Sequence, residues 1–184
     1  MASLRKAGAY SKKYTRPYTR VSKKRTKNFI KTTPQKKTVK FHMGNVNDYK
    51  KGKFDTLVKI ISREQVQIRD NAIESARQTI TRNLEKTIPG QFYFEIKIVP
   101  HHILRENKML TGAGSDRMQT GMQRSFGKTT GRAALVKENQ LLFFLAVSGQ
   151  KQLRVVKETL SSVKSKLPCR VGVVIEKIKG KQKL

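Results

Sequence analysis

Acidic residues are missing from the first 47 positions of this chain, and the same stretch carries 14 Lys and Arg. Such a segment cannot pair its charges internally and has too few apolar residues to bury a core. It is expected to stay extended until a densely anionic partner neutralises it, and polyphosphate fits because neutralised phosphates release condensed counterions. Cysteine is nearly absent. Cys169 alone cannot form an intrachain disulfide, which points to a reducing, cytosolic compartment. It follows Leu167 and Pro168 at the start of an apolar run, the setting of a buried small hydrophobe rather than a reactive thiol. Long apolar runs are missing too. The longest, residues 141–147, falls far short of the about 20 residues that span a membrane. No apolar segment follows the N-terminal charges, so no secretory leader is expected.

Catalytic signatures are equally scarce. The histidines are His42, His101 and His102, and the last two point apart in an extended chain, so no metal site is expected. Gly127-Lys128-Thr129 supplies only the last letters of a phosphate loop. No nucleophile stands in a recognisable pairing with a base. No internal repeat has a fixed period. Neither an enzyme nor a cofactor is expected.

What is present is positive charge, in both parts of the chain. Residues 1–53 hold 17 Lys and Arg against Asp48, and residues 54–184 hold 24 against 11 acids, within a total of +29. The compact part is therefore basic as well. Self-repulsion at this level destabilises a free compact protein, so the native state is expected to be a bound one. Neither a membrane nor a second copy of the chain is the expected partner. Tyr10, Tyr14, Tyr18 and Phe29 interleave with the cations, and such rings stack on unpaired bases. The candidate RNA-binding residues of the arm are Arg5, Lys6, Lys12, Lys13, Arg16, Tyr18, Arg20, Lys23, Lys24, Arg25 and Lys27.

Hydrophobic residues make up 36% of the chain, a deficit that lies mainly in the arm. One α+β domain is expected over residues 54–184, preceded by a basic extension over 1–53. Residues 54–61 read as a strand. Ser62 and Gln65 form a capping-box pattern that opens a helix, with Val66, Ala72, Ile73, Ala76, Ile80 and Leu84 as its apolar stripe and Pro89-Gly90 as its stop. Arg63, Arg69, Arg77 and Arg82 lie largely off that stripe; Arg69 and Arg77 are candidate phosphate contacts. Residues 91–99 alternate as a strand, with Phe92, Phe94, Ile96 and Ile98 on one face. Residues 133–137 and 141–147 read as a strand pair about a turn at 138–140. Residues 149–167 form a second helix, and 169–178 a last strand. Two helices on one face of a mixed sheet would bury both stripes.

Residues 105–132 fit no period. They hold five glycines, six Lys and Arg, two acids and three of the five methionines. A structureless loop of this length inside a compact domain is usually functional. Its glycines allow close backbone approach to phosphate. The candidate contact residues are Arg105, Lys108, Arg117, Met118, Met122, Arg124, Phe126 and Lys128, with Arg132 at its end.

Several segments carry a resemblance: Arg16-Pro17-Tyr18-Thr19-Arg20, residues 41–45 (FHMGN), residues 67–72 (QIRDNA) with Glu74 and Ala76, residues 103–107 (ILREN), residues 165–168 (SKLP), and above all residues 116–131 (DRMQTGMQRSFGKTTG). Over nearly its full length the chain resembles the L-ten-e/L-sixteen family of large-subunit ribosomal proteins, in an archaeal-type form. The resemblance implies a hammerhead-type α+β fold and a place between the central protuberance and the elongation-factor region, close to the peptidyl transferase centre. It implies 23S-type rRNA as a partner, with 5S rRNA a further candidate, alongside tRNA and neighbouring ribosomal proteins. The loop would approach P-site tRNA through Arg105, Lys108, Arg117 and Arg124, with Met118, Met122 and Phe126 packing beside them. The arm is more Lys-rich than the family pattern and lacks its cysteine near the start. Two rivals are a free nucleic-acid-packaging protein, which would not need such a loop, and an RNA-modifying enzyme, which would need a cofactor loop or a nucleophile–base pair.

Overall fold

In a computed structural model, the structure describes Gly8, Tyr10, Ser11 and residues 33–106 and 128–178. Among the described residues, two antiparallel sheets and three helices make up the fold. In chain order the elements are β1 (His42–Gly44), α1 (Val46–Lys50), β2 (Thr56–Ser62), β3 (Val66–Arg69), α2 (Asp70–Thr87), β4 (Phe92–Ile96), β5 (His102–Glu106), β6 (Lys128–Val136), β7 (Leu141–Val147), α3 (Gln150–Lys164) and β8 (Val171–Lys177). Sheet A has the order β1-β4-β7-β2-β8 and sheet B the order β3-β6-β5. The α+β class is as expected, but the single mixed sheet is replaced by two sheets whose pairings are all antiparallel.

One main core holds these layers together. The α2 stripe of Ile73, Ala76, Ile80 and Leu84 and the α3 stripe of Val156, Leu160 and Val163 pack on Val58, Ile60, Phe92, Phe94, Phe143 and Leu145 of sheet A. Val66, Ile68, Ala134 and Val136 of sheet B join the same core. Each large apolar side chain so buried contributes about 1.5–3 kcal/mol before entropy is counted. A smaller cluster covers the opposite face of sheet A. There Phe54, Tyr93, Phe144 and Ala146 pack with Val46, Tyr49 and Leu57. Tyr49 stacks on Tyr93 with centroids 4.2 Å apart. This second cover explains why six successive residues of β7 are buried: both faces of that central strand are dry.

Three expectations need correction. Residues 62–69 are not the start of a helix. Ser62 ends β2, and its hydroxyl donates to the Glu64 carbonyl at 2.7 Å instead of capping. The β-branched Val66 and Ile68 then share one face of β3 at two-residue spacing, and α2 begins only at Asp70. Next, the strands of 133–147 form no hairpin. β6 pairs with β3 and β5, whereas β7 pairs with β2 and β4. Asn139 takes φ +59°, and its N–H donates to the Ser62 carbonyl at 2.8 Å, while the Ser62 N–H donates to Gln140 at 3.0 Å. The two connections, 63–65 and 137–140, thus cross side by side from sheet A to sheet B. Last, residues 105 and 106 belong to β5 and 128–132 to β6, so strand structure takes both ends of the expected loop.

The segment read as extension contributes to the fold as well. β1 pairs with β4, and Asn45 caps α1 by accepting from the Asp48 N–H at 3.0 Å. Gly44 has φ +82°, and a Cβ there would sit 2.3 Å from the Phe92 carbonyl oxygen. Only glycine fits that close approach.

Candidate nucleic-acid interface

Sheet B organises both cationic extensions. β5 and β6 pair antiparallel from His102↔Ala133 to Glu106↔Lys128, with Arg105 opposite Thr129 after an irregularity at Leu104. They form a two-stranded stem, from whose end the chain leaves at Glu106 and to which it returns at Lys128. Lys108, Arg117, Met118, Met122, Arg124 and Phe126 lie on the connecting segment, outside the described residues. β5 escaped the sequence reading because Pro100 and the paired histidines look like a break. In the structure His102 opens β5 and is buried, while His101, just before the strand, is exposed.

The arm meets the same sheet at two places. At the β3 edge, the Gln67 N–H donates to the Ser11 carbonyl at 3.0 Å, and Gln67 Nε2 donates to the Tyr10 carbonyl at 3.1 Å. The Ser11 hydroxyl closes a turn onto the Gly8 carbonyl at 2.7 Å. Tyr10 holds φ +67°, uncommon for a side-chain-bearing residue, with the Arg69 guanidinium carbon 6.0 Å from its ring centroid. Further along, Arg132 Nε donates to the Pro34 carbonyl at 2.8 Å. Thr38 is fully buried. Gly8, Tyr10, Ser11 and Pro34 thus join the arm to the domain at two points, a connection that the reading of the arm as a free extension did not include. The physical reason is the unpaired edge of β3, which needs acceptors that an arm backbone supplies whatever its charge. Arg5, Lys6, Lys12, Lys13, Arg16, Tyr18, Arg20, Lys23, Lys24, Arg25 and Lys27 lie outside the described residues.

Three predicted RNA-binding cations therefore carry intramolecular contacts. Arg69 meets Tyr10, and Arg132 holds Pro34. Arg77 donates from Nε at 2.9 Å and from Nη2 at 2.5 Å to the two carboxylate oxygens of Glu74. That bidentate bond holds the Glu74 carboxyl below its ordinary value and raises the guanidinium above its own. Asp70, at the start of α2, moves the other way. Burial raises its carboxyl, partly offset by Lys37 and by the Asn71 N–H that its Oδ1 accepts at 2.8 Å. Lys37, Thr38, Asp70 and Glu74 thus make a polar seam where the arm crosses the helix. The i,i+3 spacing of Glu74 and Arg77 was a signal available in the sequence. The Gln67 clamp was not.

Elsewhere the polar groups are structural. His42 Nδ1 lies 2.9 Å from the Tyr93 hydroxyl, which donates to Glu95 at 3.2 Å. Cys169 is half-buried against the core, and burial raises its thiol. Among the described residues no three His, Cys, Asp or Glu gather as a metal site. Among the described residues no helix is long and apolar enough to cross a membrane.

The family model described as ribosomal protein L16p/L10e matches residues 16–174. The chain belongs to the L16p/L10e family of ribosomal proteins. A large ribosomal subunit protein uL16 from Staphylothermus marinus is 39% identical over 96% of this chain and 95% of its own length. The uL16 of Thermofilum pendens is 38% identical over 94% of this chain and 97% of its own length. That of Hyperthermus butylicus is 41% identical over 83% and 79%. The L16p/L10e match takes in β3, α2, the stem and the segment the stem carries, so the resemblance read from residues 67–76 and 103–131 is confirmed at the family level.

Proposed function

We propose that this L16p/L10e-family chain is a non-catalytic structural constituent of the large ribosomal subunit, acting in the cytoplasm during translation. Its arm holds 23S-type rRNA, and the segment borne on the β5–β6 stem supports tRNA near the peptidyl transferase centre. The uL16 names of its relatives support the ribosomal placement. One observation carries the finer reading: both acid-poor extensions are rooted on the same three-stranded sheet, the arm through Gln67 and Arg132 and the loop through Glu106 and Lys128. A rigid sheet that aims two polycationic segments from one place suits a folded RNA with closely spaced strands. The contact set proposed for the loop is Arg105, Lys108, Arg117, Arg124 and Lys128, with Met118, Met122 and Phe126 packing against RNA. 5S rRNA and neighbouring ribosomal proteins are further proposed partners.

The test is co-sedimentation of the full chain with large subunits through a moderate-salt wash. Retention on the large subunit, with none on the small, is the expected result. Release into the free protein pool at that salt would overturn the structural role.

A further inference from the structure

Arg77, an expected RNA contact, lies on α2, yet α2 is charge-balanced. Asp70, Glu74 and Glu85 offset Arg77, Arg82 and Lys86, and Arg77 is bound to Glu74. The imbalance lies on α3. Lys151, Arg154, Lys157 and Lys164 are all exposed, with Glu158 the one acid in the helix. The core takes Val156, Leu160 and Val163; of the four cations, Lys151 and Arg154 lie opposite them, Lys157 on the flank, and Lys164, one turn beyond Leu160, beside the buried stripe. Along the axis they extend about 20 Å, at 1.5 Å per residue. None of the four has an ion-pair partner among the described residues.

We infer that this outer ridge of α3 is a second RNA-phosphate-binding surface, separate from the arm and the stem. The inference rests on the proposed rRNA-binding role and adds a site to it. An ordinary solvated helix face interleaves signs, as α2 does, because i,i+3 and i,i+4 pairs of opposite charge support a helix and like pairs weaken it. Lys151, Arg154 and Lys157 instead repeat one sign at three-residue spacing, offset in part by Glu158 four residues after Arg154. Lys151 also stands in the first turn, where the helix dipole disfavours a cation and no acid stands in that turn. Asp55 gives partial relief, its Oδ1 accepting from the Gly149 N–H at 3.4 Å. An arrangement that opposes helix stability along one face is resolved when an external polyanion supplies the missing charge. Duplex or folded RNA does so over the ridge's whole length, with a row of phosphates rather than a single ion. α2 packs against both α3 and the β3–β6 pair. A ridge on α3 therefore lets the domain contact RNA from an element other than the sheet that roots the extensions.

Lysine acetylation footprinting of the full unmodified chain tests this without any variant. Protein-free large-subunit rRNA is the probe. Lys151, Lys157 and Lys164 should lose most of their reactivity on binding, while Lys86 on α2 keeps it. Ridge lysines as reactive in the complex as in the free chain, beside protected arm lysines, would overturn the ridge and leave the rRNA-binding role standing. No protection anywhere would overturn both. Protection by poly-glutamate but not by rRNA would assign the ridge to an acidic protein and also overturn the inference. A second arm replaces Lys151, Arg154, Lys157 and Lys164 with Gln. The log–log salt slope should become shallower by about 3, since each lost phosphate contact removes about 0.7–0.9. Arg82→Gln with Lys86→Gln should shift it far less, and equal shifts from the two sets would overturn the ridge.

Discussion

The main-chain N–H of Gln67, on the edge of β3, bonds to the carbonyl of Ser11 in the acid-free arm at 3.0 Å. The arm is thereby attached to the domain near its start as well as at its end. Amide exchange on the free full-length chain should show the Gln67 N–H protected well beyond the neighbouring Gln65. Equal, fast exchange at both would mean that the arm leaves the β3 edge in solution.

The Gln67 side chain is buried and donates to Tyr10. Gln67→Ala should cost about 1–3 kcal/mol, the usual penalty for leaving buried polar groups unsatisfied. Chemical denaturation of the full chain measures it. A loss of under about 0.3 kcal/mol would show that the clamp contributes nothing to the free fold.

Gly44→Ala should destabilise by about 2 kcal/mol or more, because a Cβ would press on the Phe92 carbonyl oxygen and the φ of +82° is unfavourable for alanine. The same denaturation measurement applies. Gly52→Ala makes the control: it too has positive φ, but a Cβ there meets nothing within 4 Å, so its cost should be smaller. The reverse order would contradict the packing of β1 on β4.

Glu74 gives a pH prediction. Its folded carboxyl is depressed, first by the Arg77 hydrogen bond, below an ordinary value of 4.5. A depressed acid adds stability that is complete above the unfolded value and is lost as pH falls through the folded one. The stability gap between wild type and Glu74→Gln should therefore be full at neutral pH, about 1.5–3 kcal/mol for hydrogen bonds to charged groups. It should narrow steadily below 4.5. A gap that widens on acidification would contradict the bidentate pairing.

Much of the fold was legible because its signals are local. Ala72, Ile73, Ala76, Ile80 and Leu84 repeat at helical spacing, and all five are buried on α2. Val66 fits the same stripe by number, but with Ile68 it also fits a two-residue period, and pairing with β6 decides for the strand. Partner choice is where local reading stops. Residues 133–147 alternate like a hairpin, yet β2 and β3 take the two strands separately. The candidate site divides in the same way. The cationic arm and the glycine-rich loop are visible as composition. The roles of Arg132 and Gln67 depend on residues far away in the chain, and no spacing rule reaches them. The α3 ridge was visible in composition, but apolar periodicity drew the reading to that helix's buried side.

Strand boundaries set how much of the loop can be replaced without cutting into sheet B. Replacing 105–132 would remove the end of β5 and half of β6, whereas replacing 107–127 by a short Gly/Ser linker spares both. The shorter replacement should unfold within a few degrees of wild type, because it spares every described strand and helix. Subunits carrying it should be slow in peptide-bond formation or in late maturation. Unfolding tens of degrees early would make the loop structural, and normal translation would remove its proposed tRNA role.

Phosphate, rather than water, is the proposed partner of these cations. Affinity of the full chain for a large-subunit rRNA fragment, measured between low and moderate salt, tests it most directly. Ten phosphate contacts predict a log–log slope of roughly −7 to −9. A slope near about −2 would leave most of the basic residues solvated and contradict the account.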